Sequence, residues 1–240
     1  MHTDQLWTDA TPFLWRARAQ VESCGEVDTE EIAFGIRTVQ ALPQTGLLIN
    51  GTPVKLRGGC IHQDNGPLGA CSFEDAERRK IEILKSVGYN AIRTAHNPPS
   101  TVLLNICDEL GMYVIDEAFD CWRHGKVAFD YHLFFDDWWE RDLTAMVERD
   151  RSHPSVILWS NGNEIAERGG FSFGYDTARK LSEKIRSLDD RPITHGLCSF
   201  WDLPALEKEQ EKSKNETPDA WARYTAPCAD ATDIIGYNYK

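Results

Sequence analysis

Apolar and polar residues alternate with a period of two over the first part of the chain. In residues 13–21, Trp15, Ala17, Ala19 and Val21 fall on one side and Arg16, Arg18 and Gln20 on the other, as in a half-buried antiparallel strand. After a turn at Cys24-Gly25, the positions Ile32, Phe34, Ile36 and Thr38 alternate again and predict a second strand. Two strands and a turn do not make a stable domain, so they read as the closing strands of a β-sandwich. Leu47 to Leu56 predicts a hairpin turning at Asn50-Gly51, a dipeptide that takes positive φ readily.

The period then lengthens and the pattern becomes strand–helix–strand. Val54 to Ile61 leads into a first parallel strand ending near His62 and Asp64. Ser72 and Asp75 have capping-box spacing ahead of a helix with Ala76, Ile83, Leu84 and Val87 on its apolar face. Asn90 to Thr94 is the second strand, and Ser100 caps a helix that Gly111 ends. Met112 to Glu117, Val156 to Trp159, Ile193 to Leu197 and residues 233–239 supply four more strands, with helices over 136–149 and around Ala178 to Leu188. Residues 207–217 are almost all charged and predict a solvated loop or short exposed helix. Repeated βα units favour an α/β fold of the (β/α)8 barrel type over a doubly wound sheet, with about six of eight strands in this chain.

The barrel reading directs attention to the C-terminal ends of strands, where sites are built. His153-Pro154 ends the preceding helix, Val156-Ile157-Leu158-Trp159 is a buried strand, and Ser160, Asn161, Asn163 and Glu164 follow abruptly. Two roles are open to Glu164 on this pattern. It is either a general acid, kept protonated by partial burial, or a structural carboxylate paired with an arginine.

The stretch from Asp150 to Glu164 resembles the acid/base signature of glycoside hydrolase family 2, which contains β-galactosidases, β-glucuronidases and β-mannosidases. A second family signature is matched by Asn90-Ala-Ile-Arg93-Thr-Ala-His96-Asn-Pro98, followed by Cys107-Asp108-Glu-Leu-Gly111 and Asp116-Glu117. The likeness is best over residues 46–240, and the β-galactosidase branch is the nearest. Family members carry a sandwich before the barrel, which assigns residues 1–42 to the last strands of an Ig-like β-sandwich and 43–240 to a truncated catalytic barrel.

The resemblance implies a retaining exo-β-glycosidase, most simply a β-galactosidase, with Glu164 as acid/base. Asn163 would hold the sugar 2-hydroxyl, while His96 and His62 would meet the sugar. Tyr239 would hydrogen-bond the nucleophile, and Arg93 would orient carboxylates. Asp64 is a weaker candidate than His62. Asp116-Glu117 admits a metal or catalytic pair, and a structural network with Arg93 is the preferred reading. Trp122, Trp159 and Trp201 stand near strand ends. Trp122 is a candidate sugar platform, and Trp159 reads as barrel core. Magnesium-using β-galactosidases continue from Asp-Glu-Ala into a Glu-x-His metal pair; this sequence has Cys121-Trp122-Arg123, so no metal cofactor is expected. The family nucleophile lies on strand seven, after Lys240, and an isolated 240-residue chain is expected to be inactive. Alternatives are a β-glucuronidase, a β-mannosidase or a non-catalytic carbohydrate-binding barrel.

Composition narrows partners more than chemistry. A net charge of −12 argues against nucleic acid or an anionic membrane surface. No apolar run is long enough to span a bilayer, and residues 1–7 carry no signal-peptide pattern, which suits a cytoplasmic or periplasmic setting. The seven cysteines form no Cys-x-x-Cys pair and are read as free thiols. The expected partner is a carbohydrate substrate. Open sheet edges invite pairing between copies, so a homo-oligomer is also expected.

Overall fold

The computed structural model describes residues 5–198 and 226–239. Eleven strands and four α-helices are named here in chain order among the described residues. They are β1 (Trp15–Ser23), β2 (Glu26–Phe34), β3 (Val39–Leu42), β4 (Gly46–Ile49), β5 (Thr52–Pro53), β6 (Gly58–His62), α1 (Glu74–Ser86), β7 (Ala91–Ala95), α2 (Thr101–Leu110), β8 (Tyr113–Glu117), α3 (Phe135–Asp150), β9 (Val156–Asn163), α4 (Gly174–Arg186), β10 (Ile193–Leu197) and β11 (Ile234–Tyr237). The six strands β6 to β11 lie side by side in chain order, with β9, β10 and β11 paired in parallel. A helix between strands allows each to re-enter the sheet in the same direction, which gives a parallel half-barrel sheet. Residues 207–217 and Trp201 lie outside the described residues.

The chain divides into two compact units. The first holds the residues up to Arg93, Pro99–Val114 and Asp150–Ile157; the second holds Thr94–Pro98, Ile115–Arg149 and the described residues from Leu158 onward.

In the first unit, β1 and β2 form the expected antiparallel hairpin, Trp15 opposite Phe34 and Ser23 opposite Glu26. The second strand starts earlier than the alternation suggested, directly after the turn. The hairpin is not half-buried: Val21 is 66% and Ile32 55% exposed. A ribbon of two strands has no second layer against which to bury its apolar side. Asn50 and Gly51 turn the next hairpin with φ of 52° and 74°. The sequence pattern missed β3, which pairs with β4 and makes a three-stranded meander.

The helices of this unit differ in how they begin. Ser100 caps α2 through Oγ, which accepts the Leu103 amide at 3.1 Å. For α1 the expected cap fails: Phe73 occupies the capping position, and Ser72 Oγ donates instead to Glu77 Oε1 at 2.8 Å. Acidic Glu74, Asp75 and Glu77 in the first turn favour the helix N-terminus without a side-chain cap. Glu77 and Ile81 are the buried residues of α1, whereas Ile83 and Val87, expected inward, are largely exposed. An N-terminal strap also escaped the pattern. Trp7 is fully buried and donates Nε1–H to the Asp108 carbonyl at 2.8 Å. Arg37 donates to the carbonyls of Pro154 and Val156, at 2.8 and 2.7 Å, and so fixes the start of β9.

In the second unit, α4 buries Ala178, Leu181 and Ile185 on one face, as its spacing predicts. Phe119, Tyr131 and Phe135 pack as an aromatic cluster around the connection from β8 to α3.

Candidate active site

Strand β9 is longer than its apolar run, because all eight residues from Val156 to Asn163 are buried. Its polar end continues the strand because each polar side chain there finds a partner. Ser160 Oγ donates to Glu117 Oε2 at 2.7 Å. Asn161 Nδ2 donates to Ser182 Oγ at 3.0 Å, and Asn161 Oδ1 meets His195 Nδ1 at 2.6 Å.

Glu164 follows directly. Its amide donates to the Gly196 carbonyl at 2.7 Å, where the pairing of β9 with β10 shifts register. Its φ of 49° lies in the left-handed region, uncommon for a residue with a Cβ. Glu164 remains partly exposed. Asn238, just after β11, donates Nδ2–H to Glu164 Oε1 at 2.7 Å and to Asn163 Oδ1 at 3.1 Å. Asn163 Nδ2 donates to Asp120 Oδ1 at 2.9 Å, and the same oxygen receives Lys126 Nζ at 2.5 Å. Asn238, Asp120 and Lys126 were all missed from sequence. Their only signals were an amide between two tyrosines and two charges in the long loop after Glu117.

Glu117 is a holding group. It is fully buried, its Oε1 lies 2.6 Å from His96 Nδ1, and its amide donates to Thr94 Oγ1 at 3.0 Å. A buried carboxyl group bonded to the imidazole and to a hydroxyl fixes the orientation of the His96 ring. Asp116 beside it is equally buried. A cavity of about 580 Å³ opens next to this group, with His96, Phe119, Asp120, Tyr131, Leu143 and Met146 in its wall. Asn163 and Glu164 are not part of that wall.

The other expected residues are distributed as follows. Tyr239 follows Asn238 and is 74% exposed. Trp122, expected to offer a face to sugar, is fully buried: its Nε1 donates to the Asn161 carbonyl at 3.2 Å and its ring packs on Phe135 and His195. Trp159 is core, with Nε1 bonded to Asp189 at 3.0 Å. His62, Asp64 and Arg93 belong to the first unit, where His62 and Asp64 are exposed. Glu117 has His96, Ser160 and Thr94 among its partners. Arg93 Nη2 donates to Cys60 Sγ at 3.1 Å.

Cys121 and Arg123, where the sequence raised the question of magnesium ligands, are poorly suited to a hard cation. Burial, reinforced by Asp130, pushes the Cys121 thiol up to about 12, so it stays protonated. Arg123 Nε pairs with Asp136 at 2.7 Å, its Nη1 donates to Thr177, and the guanidinium lies over the Phe135 ring. No group of three or more His, Cys, Asp or Glu among the described residues is placed to hold a metal ion.

Comparison with known proteins shows the family. The sequence profile described as "Glycosyl hydrolases family 2, TIM barrel domain" matches residues 41–198. The chain is 45% identical to a β-galactosidase, BoGH2A, of Bacteroides ovatus over 98% of its own length, which spans 29% of that protein. It is 41% identical to a putative β-glucuronidase of Formosa agariphila over 79% of the chain and 19% of that protein. A crystal structure of a glycosyl hydrolase family 2 member from Bacteroides cellulosilyticus superposes with a TM-score of 0.84 at 44% identity, covering 98% of this chain and 28% of that one. The chain therefore belongs to glycoside hydrolase family 2 and carries part of its TIM barrel. It spans under a third of the length of these relatives.

Proposed function

We propose that this chain supplies the acid/base side of a retaining exo-β-glycosidase active site, with a terminal β-galactoside as substrate. The carrying observation is Glu164, at the end of β9 beside Asn163 and held at Oε1 by Asn238. In the first step the Glu164 carboxyl gives its proton to the glycosidic oxygen as the C1–O bond breaks and a nucleophilic carboxylate bonds to C1. In the second, the Glu164 carboxylate takes a proton from water as water displaces the enzyme carboxylate. Asn163 would hold the 2-hydroxyl, and His96, oriented by Glu117, would donate to the sugar. The two carboxyls must stand about 5–5.5 Å apart. We assign the nucleophile to sequence outside these 240 residues, residues 1–42 to an Ig-like sandwich and residues 43–240 to the barrel. A β-glucuronidase is the second reading, favoured by the 41% identical relative of that name.

The test compares nitrophenyl β-galactoside, β-glucuronide and β-mannoside as substrates. They are offered to the 240-residue chain and to a version extended through the downstream coding sequence. The extended enzyme should cleave the galactoside best and the 240-residue chain none of the three. Turnover by the short chain at the rate of the extended one would refute the assignment of the nucleophile. Cleavage of none by the extended enzyme would refute the glycosidase reading.

A further inference from the structure

We propose that Asp120 and Lys126 form a second hydroxyl-binding pair beside Asn163, reading the sugar hydroxyl adjacent to the one Asn163 holds. This rests on the glycosidase reading for the sugar's orientation, with Asn163 on the 2-hydroxyl and the pair on the 3-hydroxyl of a neutral hexose.

The pair is fastened to the strand end that carries the acid. Asp120 Oδ1 accepts from Asn163 Nδ2 and from Lys126 Nζ, and Lys126 Nζ also donates to the Asn163 carbonyl at 3.0 Å. One ammonium N–H direction and the Asp120 Oδ2 oxygen are left with no partner among the described residues. Both side chains are part-exposed, at 33% and 44%. A carboxylate oxygen beside an ammonium suits a hydroxyl, which donates to the first and accepts from the second. The two charges offset each other, so the pair favours a neutral sugar edge over an anionic one.

Lys126 is also preorganised, although it sits on an exposed loop. Asp130 Oδ2 accepts the amides of Lys126 and Val127 at 2.7 and 3.0 Å, and Asp130 Oδ1 accepts the amide and meets the imidazole of His132. Gly125 lets this turn close: a Cβ there would collide with the His132 ring. Such a clamp has no evident purpose for a solvated lysine and a clear one for a binding group, whose affinity rises when its geometry is set beforehand.

The experiment is a saturation-transfer NMR titration of the 240-residue chain with methyl β-galactoside and its 3-deoxy analogue. Wild type should bind the parent sugar about tenfold or more tightly than the analogue, the worth of hydrogen bonds to charged groups. Asp120→Asn, which keeps the shape of the side chain, and Lys126→Met should each weaken the parent sugar and bring the ratio near one. Gly125→Ala should do the same while leaving both charges in place. Wild-type ratios in the three variants, equal binding of the two sugars by wild type, or no binding of either sugar would overturn the proposal. Hydrolysis does not enter this readout, so failure of the glycosidase reading is detected separately.

Discussion

Asn238 reaches back across 74 residues of sequence to place Nδ2 at 2.7 Å from Glu164 Oε1, and the same nitrogen touches Asn163 Oδ1 at 3.1 Å. One amide thus fixes both residues at the end of β9. In the extended enzyme, Asn238→Ala should lower kcat about tenfold, the usual worth of a lost hydrogen bond to a charged partner, with a smaller change in KM. Steady-state kinetics on an aryl β-galactoside checks this, and a pure KM effect would show that Asn238 only binds substrate.

Glu164→Gln in the same enzyme should slow substrates with poor leaving groups by about 100- to 10,000-fold, the range for loss of general acid–base catalysis. Activated aryl glycosides should suffer less in the glycosylation step, because their leaving groups need little protonation. Azide, which needs no general base, should restore turnover as a glycosyl azide. Wild-type rates across the series would remove Glu164 from the mechanism.

Much of this was legible in sequence because it depends on local chemistry. Ser100 and Gly111 bracket α2 as read, Ile193–Leu197 is a strand with the expected bounds, and Glu164 stands at a strand end. What escaped depends on contacts between distant segments. Nothing local to Asn238, Asp120 or Lys126 marks them as neighbours of Asn163. The sequence pattern ends the strand at Trp159 because the partners of its polar end, Glu117, Ser182 and His195, come from other elements. Trp122 shows the converse case: a tryptophan near a strand end is equally suited to stacking on sugar or filling a core, and its burial depends on Phe135 and His195.

The loop clamp should be acid-sensitive. Burial pushes the Asp130 carboxyl up, but the Val127 and His132 amides, the His132 imidazole and the Cys121 thiol outweigh burial and hold it well below the ordinary value of 3.8. With a depressed folded-state pKa, its contribution is fully present above the unfolded value and is lost as pH falls toward the folded one. The Lys126 and Val127 amides should therefore be protected from hydrogen exchange at pH 5 and progressively less below pH 4, after correction for intrinsic rates. Asp130→Asn should leave them poorly protected at both. Equal protection in the variant would show that the turn holds without the carboxylate.

Chelation gives a separate check. With Cys121 a buried thiol and Arg123 a paired cation, dialysis of the extended enzyme against a chelator should leave its rate nearly unchanged. A large loss restored by magnesium alone would place ligands elsewhere in the protein.

The β1–β2 hairpin invites a stability experiment. Replacing Val21, Val27 and Ile32 with Thr should change unfolding free energy by no more than about 0.5 kcal/mol per site, as is usual for exposed positions. The same changes should raise solubility, because they remove an apolar ribbon that other copies can meet. Losses of several kcal/mol would mean that the hairpin is covered in solution.

The backbone at Glu164 has a cost that falls on the folded state whether or not chemistry takes place. A left-handed conformation is disfavoured by about 1 kcal/mol for a residue bearing a Cβ, and glycine escapes it. Glu164→Gly should abolish acid catalysis and yet give a protein that melts at a higher temperature. Glu164→Gln would keep the torsional penalty and serve as its isosteric control. At this position a thermostability screen and an activity screen would select opposite residues.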